Sequence, residues 1–257
     1  MSAQFLLPLA GAAIVLALSG CASSSRSPIS DSYGPYPHLP EPQSSLFPTV
    51  NIAPAKGWPA GTMPTPAPGL KVQAFAKELQ HPRWLYVLPN GDVLVAETDA
   101  PLKPDDSKGI RGKIMKLLMK RAGSSHQSAN RISLLRDRNG DGVADQKTIF
   151  LQNLNSPFGM ALVGNTLYVA NTDALMRFPY QKGATQITAS GSKVLNLPSG
   201  SLNHHWTKNV IANPAGSKLY ITVGSNSNVA ENGLDQETGR ALIMEFNIAS
   251  GKARPFA

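Results

Sequence analysis

From Leu70 to Ala257, apolar and polar positions alternate in short runs bounded by turn residues. A period of two over a handful of residues predicts half-buried strands. One phrase recurs three times: an apolar run, a polar turn, then a second apolar run. It reads WLYVLPNGDVLVAE at 84–97, GMALVGNTLYVAN at 159–171 and NVIANPAGSKLYITVG at 209–224. The turns PNGD, GN and NPAGSK suit hairpins. Further strand candidates follow each hairpin: RISLLRD after the first, ALMRFPY and SKVLNLP after the second, ALIMEFN and KARPFA after the third. With Leu94, Leu167 and Leu219 as equivalent points, the repeats lie 73 and 52 residues apart. The second spacing is near the roughly 40–50 residues of a propeller blade. The first is lengthened by an insertion at 100–130. The pattern predicts an all-β chain of about three four-stranded units, set radially as blades of a β-propeller. A sandwich of similar hairpins is the alternative.

Closed propellers have roughly four to eight blades. Three units alone leave sheet faces and edges open, a liability for association. The expectation is a partial propeller over 69–257, either truncated or completed by oligomerising.

The N-terminal pattern differs. Residues 5–18, FLLPLAGAAIVLAL, form one apolar run. It is shorter than the about 20 residues of a spanning helix and fits the apolar region of a signal peptide. LSGC follows, ending at Cys21, the single Cys of the chain. The phrase resembles the lipobox of bacterial lipoproteins, in which that Cys carries the lipid. Residues 1–21 contain no Lys or Arg, a departure from the usual signal. The resemblance implies an outer-membrane lipoprotein facing the periplasm, held by a lipid anchor without spanning the bilayer. Residues 22–68 are rich in Ser and hold eleven of the 21 prolines. Proline fixes φ and removes donors, so this stretch is expected to be an extended tether. Within it, the neighbourhood of Trp58 is the part suited to pack on the domain.

Composition adds little that is specific. Lys and Arg number 24 against 16 Asp and Glu, a formal charge of +8. That favours anionic ligands or surfaces. No nucleic-acid-binding signature accompanies it, so nucleic acid is not an expected partner. One Cys excludes an intrachain disulfide framework. Seven basic residues fall between Lys103 and Arg121, with Ile114, Leu117 and Leu118 at helical spacing among them. The alternatives are a basic amphipathic helix on anionic head groups and an insertion with a solvated basic face.

Three ordered phrases carry a family resemblance: HPRWLYVLPNGDVLVAET, ISLLRDRNGDGVADQKTIFLQNLNSPFGMAL and LNHHWTKNVIANPAGSKLYITVGSNSNVAENG. They resemble the soluble quinoprotein sugar dehydrogenases, and within them the L-sorbosone dehydrogenase branch. The resemblance implies a six-bladed propeller with pyrroloquinoline quinone (PQQ) and Ca²⁺ on its top face, oxidising a sugar or sugar aldehyde. It selects His205 as general base, the His that leads into Asn209-Val210-Ile211. Imidazole titrates near neutrality and suits that role, while the hydride must go to the cofactor. His204 is the runner-up and a pocket residue. In the glucose-oxidising branch an Arg lies against the quinone plane; here Asn228 falls at that place. Asn donates hydrogen bonds but does not stack as a guanidinium does. Asn226 in the same loop and Asn155, with Ser156 and Phe158, are further cofactor-pocket candidates. The family's downstream calcium and PQQ-carboxylate contacts have no counterpart before Ala257. A non-catalytic propeller lipoprotein that binds a protein or an envelope glycan is the alternative function.

Asp137, Asn139, Asp141 and Asp145 occupy the first, third, fifth and ninth places of a loop with Gly142 at the sixth. That is the front of a calcium loop of EF-hand type. Thr148 stands where a bidentate Glu closes such a site. The alternatives are a structural calcium and a plain hairpin turn.

Overall fold

The computed structural model describes residues 28–38, 52–101, 109–123, 127–228, 230 and 232–257. Cys21 and the predicted signal lie outside them. The chain divides into two units, Met1–Ala53 and Pro54–Ala257. The described part of the first holds one short 3₁₀ turn, Ile29–Ser32. In the second, Trp58 stays 69% exposed rather than packing on the domain.

Twelve strands build the second unit as three four-stranded antiparallel sheets, each in sequence order. The first contains β1 (Pro82–Val87), β2 (Val93–Glu97), β3 (Arg131–Arg136) and β4 (Gln146–Leu151). The second contains β5 (Met160–Val163), β6 (Thr166–Ala170), β7 (Ala174–Pro179) and β8 (Ser192–Asn196). The third contains β9 (Val210–Ala212), β10 (Lys218–Val223), β11 (Leu242–Asn247) and β12 (Ala253–Pro255). These are three blades of a partial β-propeller. The predicted hairpins are present, and Gly91 turns the first of them at φ 89°.

Two apolar layers join the blades. Leu94, Ala96, Ile132, Leu134 and Phe150 meet Met160, Leu167, Val169 and Phe178 between blades one and two. Ala161, Tyr168, Ala170 and Leu175 meet Val210, Leu219, Ile221 and Phe246 between blades two and three. The Val, Leu, Ile, Met and Phe side chains among them each contribute about 1.5–3 kcal/mol on full burial. The layers also correct the predicted repeat alignment. Leu94 faces the following blade, whereas Leu167 and Leu219 face the preceding one. Adjacent residues of a strand point to opposite faces, so the true counterpart of Leu167 is Val93. The matching phrases are then Val95-Ala96-Glu97-Thr98-Asp99 and Val169-Ala170-Asn171-Thr172-Asp173.

Polar clamps fix the first blade. Glu97 is fully buried and accepts from Arg131 Nε at 3.1 Å and Nη2 at 2.9 Å, from Ser133 Oγ and from the Gln80 N–H. Burial pushes its carboxyl up, and these donors together outweigh that and hold it below its ordinary value. At the other end Arg136 grips Asp92 with Nε at 2.6 Å and Nη2 at 2.7 Å, tying the β1–β2 turn to β3.

The basic insertion does form a helix, α1 (Gly109–Arg121). Ile114 and Leu117 on it are exposed. Lys103 and Lys108 lie outside the described residues. No helix among the described residues is long and apolar enough to cross a membrane.

Candidate functional site

Antiparallel pairing brings the start of each blade's first strand and the end of its second to one rim. Backbone bonds close this end: Thr98 N donates to His81 O at 3.1 Å and Thr172 N to Asn155 O at 3.0 Å, while in the third blade the direction reverses and His204 N donates to Asn226 O at 3.0 Å. This rim gathers the predicted pocket residues. His205, Asn155 and Asn228 are exposed on it, and His204 is half-buried. Asn226 is 2% exposed and already engaged. Its Nδ2 donates to Leu202 O at 2.7 Å and its Oδ1 accepts from Asn232 Nδ2 at 3.0 Å. It pins the loop rather than presenting its amide to a ligand.

His205 Nδ1 lies 2.8 Å from Ser225 Oγ and 3.3 Å from Ser225 O. The loop bearing Ser225 is anchored by Glu237, whose Oε2 accepts from Asn226 N at 2.6 Å. Its Oε1 accepts from Ser227 N at 3.1 Å and Ser227 Oγ at 2.8 Å. The Asn226 N–H, ahead of the Ser227 donors, holds the Glu237 carboxyl below its ordinary value. Glu237 comes from the 3₁₀ turn Leu234–Glu237, which the strand pattern did not reveal.

Aromatic rings follow the rim. Trp84 lies 5.2 Å from Phe158 in a tilted pair, and Phe158 meets Trp206 edge-on at 6.4 Å. The Arg83 guanidinium sits 5.5 Å over the Trp206 ring and remains exposed. Repeat alignment places Arg83, Phe158 and Lys208 at one position, the second residue of β1 and two residues ahead of β5 and β9. That alignment was the signal for Arg83 and Lys208; the hairpin phrases alone passed over both.

Lys208 is the unusual member. Its side chain is 0% exposed, and Nζ donates to Trp206 O at 3.2 Å. Burial, and then repulsion from Arg240, lower its pKa to about 8. Arg240 donates to Asn203 Oδ1 at 2.8 Å and to Ser199 O at 2.6 Å. Among the described residues neither cation forms an ion pair with a carboxylate.

The 137–145 loop supports itself. Asp137 Oδ1 accepts from Gly140 N at 2.7 Å and Oδ2 from Gly142 N at 2.8 Å. Asn139 Oδ1 accepts from Asp141 N, Asp141 Oδ1 from Val143 N, and Asp145 Oδ2 from Arg138 N. Among the described residues no three His, Cys, Asp or Glu side chains gather as a metal site. The four predicted ligands are placed as turn-forming residues.

The TrAA12-like family profile matches residues 117–257, more than half of the chain. The chain belongs to the TrAA12-like family. The fold of this TrAA12-like chain is similar to the calcium structure of the Trichoderma reesei carbohydrate-active enzyme of family AA12. Identity is 14% and the TM-score 0.52, covering 73% of this chain and 40% of that one. It also matches the PQQ domain of pyranose dehydrogenase from Coprinopsis cinerea, at 17% identity and TM-score 0.48, over 68% of this chain and 35% of that one. PQQ-bound aldose sugar dehydrogenase from Streptomyces coelicolor matches at 15% identity and TM-score 0.44, over 69% and 47%. This TrAA12-like chain therefore spans less than half the length of each. No curated protein matches the sequence.

Proposed function

We propose that the protein takes part in PQQ-dependent oxidation of a sugar or sugar aldehyde, of the sorbosone or aldose type. Membership of the TrAA12-like family supports this reading, and the exposed His205 on the rim carries it. The rim suits a planar polyanion. Arg83 offers an exposed guanidinium braced over the buried Trp206 ring, and Asn155 and Asn228 offer exposed amides. Arg83 is the residue to hold a carboxylate there, and Asn155 and Asn228 the residues to bond quinone oxygens. When bound, PQQ supplies the hydride acceptor. His205 takes the hydroxyl proton of the substrate at Nε2, which makes hydride departure from the same carbon favourable. Ca²⁺ belongs to the same reading; a ligand cluster for it does not form among the described residues.

The proposed location is the outer membrane facing the periplasm, through a lipid on Cys21. The basis is the LSGC phrase after an apolar run. Periplasmic placement leaves electron transfer from the reduced cofactor to a separate acceptor.

The experiment is reconstitution of the full chain with PQQ and Ca²⁺, comparing wild type with His205→Ala. Sugar-dependent quinone reduction should fall about 100-fold or more, within the range for loss of a general base. Undiminished reduction by His205→Ala would remove His205 from the mechanism.

A further inference from the structure

We propose that Ser225 is a positioning residue for His205, holding its imidazole as the Nδ1–H tautomer and leaving Nε2 as the acceptor. The inference rests on reading His205 as the base.

Two atoms of Ser225 face the same ring nitrogen. The carbonyl oxygen, 3.3 Å from Nδ1, can only accept a hydrogen bond. The hydroxyl oxygen is 2.8 Å from Nδ1, and its own proton points to Ser227 O at 2.8 Å, another pure acceptor. Nδ1 thus meets lone pairs on both sides, and the arrangement is satisfied only when Nδ1 carries the proton. In a neutral imidazole the free lone pair then lies on Nε2.

The opposite assignment breaks two contacts. An unprotonated Nδ1 would face the Ser225 carbonyl lone pair to lone pair. Turning the Ser225 proton toward Nδ1 would also strip Ser227 O of its donor. The same geometry argues against Ser225 as a nucleophile activated by His205, because the nitrogen facing it is not free to accept a proton.

The clamp is braced from behind. Glu237 holds the backbone of Asn226 and Ser227 at the next two residues. Gly224 lets the Ser225 backbone lie against His205. The orientation is therefore set by a loop held at both of its next two residues, as a proton acceptor requires.

The test is long-range ¹⁵N–¹H NMR of the full chain with ¹⁵N-labelled histidine. The five His residues include His205, assigned by the signal lost in His205→Asn. In wild type at alkaline pH, His205 should show the Nδ1–H pattern. Ser225→Ala should raise the Nε2–H fraction several-fold, and Ser225→Thr should restore the wild-type pattern. In the reconstituted protein, Ser225→Ala should lower kcat about 10-fold with KM little changed, again rescued by Thr. A wild-type Nε2–H pattern overturns the proposal, and so does an unchanged pattern in Ser225→Ala. If the tautomer behaves as stated while no variant oxidises a sugar, the clamp stands and the base reading falls.

Discussion

Gly224 and His205 approach so closely that a Cβ on Gly224 would lie 2.5 Å from Cβ of His205 and 2.7 Å from its carbonyl oxygen. The backbone of Gly224 does not need φ above zero. Space, not conformation, selects glycine here. Gly224→Ala should push His205 off the rim loop and lower quinone reduction at least 10-fold. Stability should fall by about 1–3 kcal/mol, as for overpacking elsewhere. Denaturant unfolding and the reduction assay check both. Unchanged activity with unchanged stability would mean that the loops separate freely.

Lys208 gives a pH prediction of defined sign. Its pKa is about 8 when folded, against an ordinary 10.5. The unfolded chain binds its proton more tightly, so burial of the charge costs stability fully below pH 8. The cost is relieved as pH rises from 8 towards 10.5. A gap of that size corresponds to about 3 kcal/mol. Lys208→Met keeps the apolar stem and removes the charge. It should stabilise the protein by about 1–3 kcal/mol at pH 7 and flatten the rise above pH 8. Urea midpoints at pH 7, 8 and 9.5 read this out. Destabilisation at pH 7 would reveal an anionic partner for the ammonium.

The 137–145 loop predicts insensitivity to metal removal. A backbone N–H group donates to each oxygen of Asp137 without a metal, and Gly142 N–H, ahead of the others, holds its carboxyl below the ordinary value. In the absence of PQQ, chelation of Ca²⁺ should move the melting temperature by no more than about 1 °C. A drop of several degrees, reversed by Ca²⁺, would show that the loop binds the ion.

The hairpins were legible because turn chemistry and period-two alternation agree at WLYVLPNGDVLVAE and its two counterparts. The strand β4 was less so, since Gln146, Lys147 and Thr148 open it with polar residues. The repeat register slipped by one because Leu94 and Leu167 look alike in sequence, and only packing shows that they face opposite ways. At the rim, His205 stood out through its flanking residues. Ser225 did not, because its partner is 20 residues away and a Ser/Asn-rich loop reads as a turn. Asn226 looked like a free donor for the same reason, yet it is buried and bonded. Nothing local to Trp206-Thr207-Lys208 signals a fully buried ammonium.

Quinone-dependent sugar oxidation at this rim is the activity proposed for the protein. It is tested most directly by titrating the full chain with PQQ in the presence of Ca²⁺, following quinone absorbance, then adding sorbosone and a panel of aldoses. Binding should be saturable and weakened by Arg83→Ala, and at least one of these sugars should reduce the bound quinone. A folded protein that takes up no PQQ, or binds it without reduction by any of them, would contradict the proposed activity.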